Sequence, residues 1–296
     1  MTNIRLYFPK IILTFLLIFL LTGTELSLLI QHNALTYKAF ETVTVQQNLD
    51  EKAYTALESY FQSRSNSTGI PADVYLDAVT QEDMKQGILS SISKAFAYLQ
   101  HDDESYAVTM DFTELEKSVT EFFNQYAEEN HYQKDEIFNQ KVQSSIQEAE
   151  EKILYTADTF KFGTIAEHGW LAKIRSFLDI FRKIMTGLYI CTGVILILLI
   201  LCCKYKFSEL FYWLGLTGII SGLLISSPCL YLLKTDYFSA FVVKDIQIYA
   251  AVTGYLNYIT HLISTAFIIT GLAGIVFLLL FSVMQKITNQ KQTTAE

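Results

Sequence analysis

Apolar residues cluster in four long stretches placed unevenly along the chain. Residues 11–30 contain one charge, Glu25, and residues 184–203, 210–233 and 256–283 contain none. A helix rising about 1.5 Å per residue needs about 20 mostly apolar residues to cross a bilayer. Each stretch meets that length, and the fourth exceeds it, so it can tilt or protrude. One stretch precedes a polar block of about 150 residues, a length that can supply its own core, and three follow it. The pattern predicts a mainly α protein. Four transmembrane helices carry a large, mostly helical extracytoplasmic domain between helices one and two, with at most a short β element.

Short flanks set the orientation, because Lys and Arg stay cytoplasmic. Arg5 and Lys10 precede the first span, Lys204 and Lys206 lie between spans two and three, and Lys286 and Lys291 follow the fourth. An even number of crossings puts these flanks on one side. The expected order is a cytoplasmic N-terminus (1–10), span one (11–30), an outer domain (31–183) and span two (184–203). A cytoplasmic turn (204–209), span three (210–233), an outer interfacial segment (234–255), span four (256–283) and a cytoplasmic tail (284–296) complete it. Lys183 and Lys234 run mildly against the rule. The first span reads as an uncleaved signal anchor. A cleaved signal peptide ending near Thr22-Gly23-Thr24 is the rival reading, and both leave the large domain outside.

Inside the polar block, helical spacing dominates. Residues 31–64 keep helical character, with Tyr54, Leu57 and Phe61 on one face, up to a turn cluster at 65–71. Thr80-Gln81-Glu82-Asp83 resembles a capping box opening a helix to about Leu99, with Ile88, Ile92, Phe96 and Leu99 as its stripe. Tyr106, Val108, Met110 and Phe112 alternate with more polar residues, which predicts a strand, and 42–45 is its one weak partner. Thr113-Glu114-Leu115-Glu116 reads as a second capping box, followed by Leu115, Val119, Phe122 and Tyr126 at helical spacing. A further helix spans about 134–154, and Phe160–Gly163 interrupts it. Trp170, Ile174, Phe177, Leu178 and Phe181 lead helically into span two. The first and last helices of the block are thus expected to run on into spans one and two, a join that can couple the two sides. Residues 234–255 are aromatic and carry few charges, so they are expected at the membrane interface or packed under the outer domain.

The net charge of −8 concentrates in the block, where residues 33–183 hold 25 acids against 14 bases. That surface repels nucleic acid and anionic headgroups and favours cations or basic partners. All four cysteines, Cys191, Cys202, Cys203 and Cys229, lie in or beside the spans, so no disulfide staples the block. A cysteine-free outer domain fits a bacterial surface. The segments Thr68-Gly69-Ile70-Pro71-Ala72-Asp73, Val79-Thr80-Gln81-Glu82 and Val108-Thr109-Met110-Asp111, in this layout, resemble uncharacterised Gram-positive bacterial polytopic membrane proteins with an extracytoplasmic helical domain. The resemblance covers most of the block. It implies a multi-pass protein of the cell membrane and carries no activity.

Candidate chemistry is sparse. His101, Asp102, Asp103 and Glu104 are the densest potential metal ligands, without the glycine and spacing of a calcium loop. Glu25 and His261 each lie about five residues inside the outer end of a span, about 8 Å deep. At that depth an ionisable pair could relay protons or tie spans one and four. Gly215, Gly218 and Gly222 form a small-residue face on span three suited to helix packing, and Pro228 is expected to kink that span. No catalytic constellation, phosphate loop, dinucleotide motif or zinc-protease motif is present in the sequence, and no cofactor is implied. The expected partners are the lipid bilayer and another protein, not nucleic acid. The leading expectation is a non-enzymatic partner-binding or envelope-sensing protein. A transport or export component using Glu25 and His261 is the alternative, and a membrane-embedded enzyme the third.

Overall fold

A computed structural model describes residues 2–204 and 206–293. The side chains of Arg5 and Lys291, used in the orientation argument, lie outside the described residues. The chain runs through α1 (Thr2–Leu29), a π-helical turn (Ile30–Ala34), α2 (Tyr37–Gln46), α3 (Leu49–Thr68), α4 (Asp73–Leu76), α5 (Gln81–Leu99) and α6 (Thr113–Glu129). It continues with α7 (Glu136–Ala157), α8 (Phe162–Glu167), α9 (Trp170–Cys202), α10 (Phe207–Lys234), a 3-10 turn (Tyr237–Ala240) and α11 (Ile246–Thr293). Four helical segments, Tyr7–Ala34, Trp170–Cys202, Phe207–Lys234 and Ile246–Ile287, are long and apolar enough to cross a membrane. The protein is therefore a helical protein with four candidate membrane spans.

Two compact units share the chain. The span unit comprises Met1–Leu35, Leu178–Ala240 and Leu256–Glu296, and the second, helical unit comprises Thr36–Phe177 and Phe241–Tyr255. In the span unit α1 packs along α10, around a cluster of Leu17, Leu199, Cys203 and Trp213. Side-chain hydrogen bonds join α1 to each other span. The Thr22 and Ser221 hydroxyls are 2.7 Å apart, Thr24 and Thr192 are 2.9 Å apart, and Ser27 and Tyr189 are 2.9 Å apart. Thr270 of α11 donates to the Glu25 carboxylate at 2.7 Å. Outward faces stay apolar, with Phe15, Ile190, Ile197, Leu223 and Leu279 exposed, as lipid contact requires.

Helices α10 and α11 approach to backbone contact. A Cβ on Gly222 would stand 2.7 Å from Gly271 Cα, one on Gly218 would stand 3.1 Å from Gly274 Cα, and one on Gly274 would stand 2.6 Å from Ile219 N. Gly215 lies in the same face, 2.9 Å from Gly274 O on the same measure. Small residues permit this approach, and dispersion between the backbones then holds it.

The second unit is built around α5, which packs on α2, α3, α7 and α8. Its Met84, Ile88 and Ile92 are buried, as are Leu49 and Leu57 of α3 and Ile153 of α7. The Thr80 side chain accepts from Asp83 N while Asp83 accepts from Thr80 N, a complete capping box with Asp in the Glu position. Residues 106–112 are not a strand, and among the described residues there is none. Their expected partner, 42–45, lies inside α2. The alternation is nonetheless real: Tyr106, Val108, Met110 and Phe112 are half-buried and the residues between them are exposed. The segment is extended and lies on α5, where Gly87 admits Met110, whose Sδ would be 2.7 Å from a Cβ at that position.

Three further expectations change. No Thr113 box forms: Phe112 is the N-cap of α6 without a side-chain cap, and Asp111 before it accepts from Thr113 N at 3.0 Å and from the Thr113 hydroxyl. Helical character does not run unbroken through 31–64, because the chain leaves the helix at Leu35 and again at Asn48, which takes a left-handed conformation (φ 48). Span one therefore does not continue as a single helix into the second unit, whereas α9 runs unbroken from Trp170. The segment 234–255 divides into a 3-10 turn, an irregular stretch with Val242 fully exposed, and the opening turns of α11.

Gly222→Ala should force the α10 and α11 backbones apart and lower stability by about 1–3 kcal/mol. Thermal unfolding of detergent-solubilised protein checks this against Gly187→Ala, where nothing lies within 4 Å and no loss is expected.

Candidate functional site

An aromatic groove of about 780 Å³ lies between α3, α6 and α7 of the second unit. From α3, Tyr60 and Phe61 line it, with Arg64 one turn further on. Phe122, Phe123 and Tyr126 come from α6, and Phe138, Lys141 and Glu148 from α7. Phe61 stacks on Tyr75, with centroids 4.4 Å apart and planes 11° apart, and Phe123 meets Phe138 edge-on at 6.1 Å. Burial pushes the Tyr75 phenol above its ordinary pKa. Arg64 forms an ion pair with Glu148 and donates to the Tyr60 hydroxyl at 3.0 Å, fixing the polar end of the groove. The Lys152 ammonium sits 4.3 Å from the Tyr60 ring centroid, so this aromatic face already accepts a cation. Tyr126 and Tyr132 stay about half exposed, at 53% and 47%. Periodicity assigned Tyr126 to the buried stripe of α6. The signal for its other role was the aromatic density of Phe122-Phe123 and Tyr126 in the second half of that helix.

The four proposed metal ligands do not converge. Arg175 Nε donates to His101 Nδ1 at 2.9 Å, its guanidinium lies 4.7 Å from the Tyr98 ring, and Asp103 is 3.3 Å from the Lys94 ammonium. A guanidinium against the imidazole lone pair occupies the ligand atom and repels a metal ion. Among the described residues no three His, Cys, Asp or Glu side chains form a potential metal group.

Glu25 and His261 are not brought together. Glu25 bonds to Thr270, nine residues further along α11 than His261, which is exposed. Nine residues are about 13 Å of helix, beyond the reach of one carboxylate serving both. The depth argument set both residues at one level, but it could not fix the rotation and shift of α11 against α1. What the sequence reading missed is the hydroxyl seam of α1, whose signal was Thr22, Thr24 and Ser27 flanking Glu25. The same unit buries the hydroxyls of Thr14 and Ser264 without a hydrogen-bond partner.

A buried polar knot lies beside a second cavity of about 570 Å³. Asp158 accepts from Ser91 at 3.0 Å and from the backbone N–H groups of Phe162 and Gly163, each at 2.8 Å. Tyr106 shares the Ser91 hydroxyl at 2.9 Å. Burial raises the Asp158 pKa above the usual carboxylate range, against the lowering effects of Gly163, Lys161 and Ser91. Burial likewise lowers the Lys161 ammonium and raises the Tyr106 phenol. The knot pins the extended segment and the α7–α8 turn to α5. Every Asp158 partner is a neighbouring part of the fold, so its role is structural.

No protein-family model matches this sequence, and no curated protein or solved structure is significantly similar to it.

Asp158→Asn keeps an acceptor for Ser91 and Phe162 but turns an amide toward Gly163 N–H. It should cost about 1–3 kcal/mol. A folded pKa above the unfolded one gives stability that is full at low pH and declines as pH rises through the folded value. The wild type should therefore lose stability with rising pH relative to the variant, and the gap between them should narrow. Thermal melts of both proteins across about pH 4–8 check the sign. Thr270→Val leaves Glu25 without its donor and should cost about 1 kcal/mol or more, whereas His261→Ala should stay within about 0.5 kcal/mol of wild type.

Proposed function

We propose that this is a non-enzymatic multi-pass protein of the cell membrane, whose second unit lies on the extracytoplasmic side and binds a partner protein through the aromatic groove. The observation that carries the reading is that groove, with half-exposed tyrosines at its mouth. Aromatic anchors in concave, partly desolvated sites dominate interface energies. The occupant that fits is a cationic segment of a partner bearing apolar or aromatic side chains. Its charge follows from the helices around the groove and not from the lining, which holds Arg64 and Lys141 against Glu148: α6 carries Glu114, Glu116, Glu121, Glu128 and Glu129 against Lys117 alone, and α7 carries Glu136, Glu148, Glu150 and Glu151 against Lys141 and Lys152. Such an acidic surround steers basic partners toward the groove. The layout resembling Gram-positive membrane proteins and the lysine-rich short flanks support the placement.

A second reading, a transport component, is favoured by the hydroxyl seam around Glu25 and the unpartnered Thr14 and Ser264 hydroxyls. Proton or cation flux into proteoliposomes that Glu25→Gln abolishes would establish it in place of the first.

The binding reading is tested with full-length protein in detergent and two synthetic peptides of equal apolar content, one lysine-rich and one glutamate-rich. The basic peptide should bind in a salt-sensitive manner and the acidic one should not. Tyr126→Ala combined with Tyr132→Ala should weaken that binding more than about tenfold while changing stability by less than about 1 kcal/mol. A photo-crosslinker at Tyr132 in native membranes should yield one dominant product, competed by the basic peptide. Equal binding of both peptides, or none, sinks the proposal.

A further inference from the structure

At the lysine-bearing end of the spans, within the span unit, lies a cavity of about 620 Å³ that the binding reading does not use. Tyr7 and Lys10 stand one turn apart on α1 and face it together. The turn after α9 supplies Lys204 and Lys206, with Lys204 in a left-handed conformation (φ 50). The first turn of α10 supplies Glu209, and its next turn Tyr212 and Trp213.

The aromatic side chains form a connected floor. Tyr7 meets Trp213 edge-on at 5.4 Å, Trp213 meets Tyr212 at 5.1 Å, and Tyr212 meets Phe281 of α11 at 5.2 Å. Lys10 is only 8% exposed and forms an ion pair with Glu209. Lys206 approaches the same carboxylate at 3.9 Å. One carboxylate thus faces three ammonium groups around one cavity. A buried cation is costly unless its charge is balanced, and the cavity as it stands carries surplus positive charge.

We propose that this cavity binds the phosphodiester headgroup of an anionic phospholipid. Lys204 and Lys206 would hold the phosphate while Lys10 neutralises Glu209, and the aromatic floor would lie at the headgroup level. Basic pockets between spans suit such headgroups, and aromatic rings prefer that depth. An apolar floor continuous with three spans favours a lipid over a free phosphate ion, which would gain nothing from the rings.

The test uses full-length protein in mixed micelles titrated with phosphatidylglycerol, phosphatidylcholine or inorganic phosphate, read by native mass spectrometry and thermal stability. Phosphatidylglycerol should be retained and raise the melting temperature, whereas phosphatidylcholine should do neither. Lys204→Gln and Lys206→Gln lie in an exposed turn and should leave the circular dichroism spectrum unchanged. Each should weaken phosphatidylglycerol binding about fivefold. Equal retention of the two lipids, or unchanged affinity in both variants, overturns the site. Displacement of phosphatidylglycerol by millimolar inorganic phosphate, with stabilisation by phosphate alone, overturns the lipid assignment in favour of a free-phosphate site.

Discussion

The span unit depends on α1 satisfying its own polar side chains against its neighbours. In an apolar medium an unpaired hydroxyl or carboxyl costs more than one in water, so pairing is favoured, and on α1 the buried Thr14 hydroxyl is an exception. Thr22, Thr24, Glu25 and Ser27 are paired, against α10, α9, α11 and α9. One helix thereby sets the lateral order of the other three. Hydroxyl pairs are individually weak in membranes, but they are directional, and a helix rotated out of place would leave several unpaired together. The glycine face between α10 and α11 adds the complementary restraint, fixing distance where the hydroxyls fix rotation.

The second unit solves a different problem. It has no cysteine and no sheet, so its order comes from one amphipathic helix, α5, enclosed by others. Local chemistry delimits the elements: the Thr80–Asp83 box, Asp135 accepting from Phe138 N, and Gly69 ending α3 in a left-handed conformation. The Asp158 knot does for the extended segment what strand pairing would have done, holding a chain with alternating faces against a helix.

Much of this was legible in the sequence because it is periodic. The four spans, the start and end of α5 and its buried stripe follow from hydropathy and capping chemistry alone. The alternation at 106–112 was read correctly as a pattern and wrongly as a strand, since period two reports which faces are buried and not what pairs with the backbone. Partner choice was least legible. Glu25 was singled out, yet its donor is Thr270, because depth along a span does not determine its rotation. The groove was hidden for a related reason: a tyrosine at a stripe position looks the same in sequence whether it is covered or lines an open cleft.

The second unit is discontinuous in the chain, and this bears on how it is made. Residues 241–255 belong to it, with Tyr255 4.3 Å from the Phe40 ring, Asp245 within reach of Tyr155, and Gly254 against Gln47. The ribosome delivers residues 36–177 first, then two membrane spans, and only afterwards the segment that completes the fold. Until that segment emerges, Phe40 has the Phe96, Phe160 and Phe162 rings against it but not Tyr255, and the unit is unfinished. Completion of this unit therefore waits on synthesis of the two long apolar helices that lie between its pieces, and a chain truncated before residue 241 would lack its final segment.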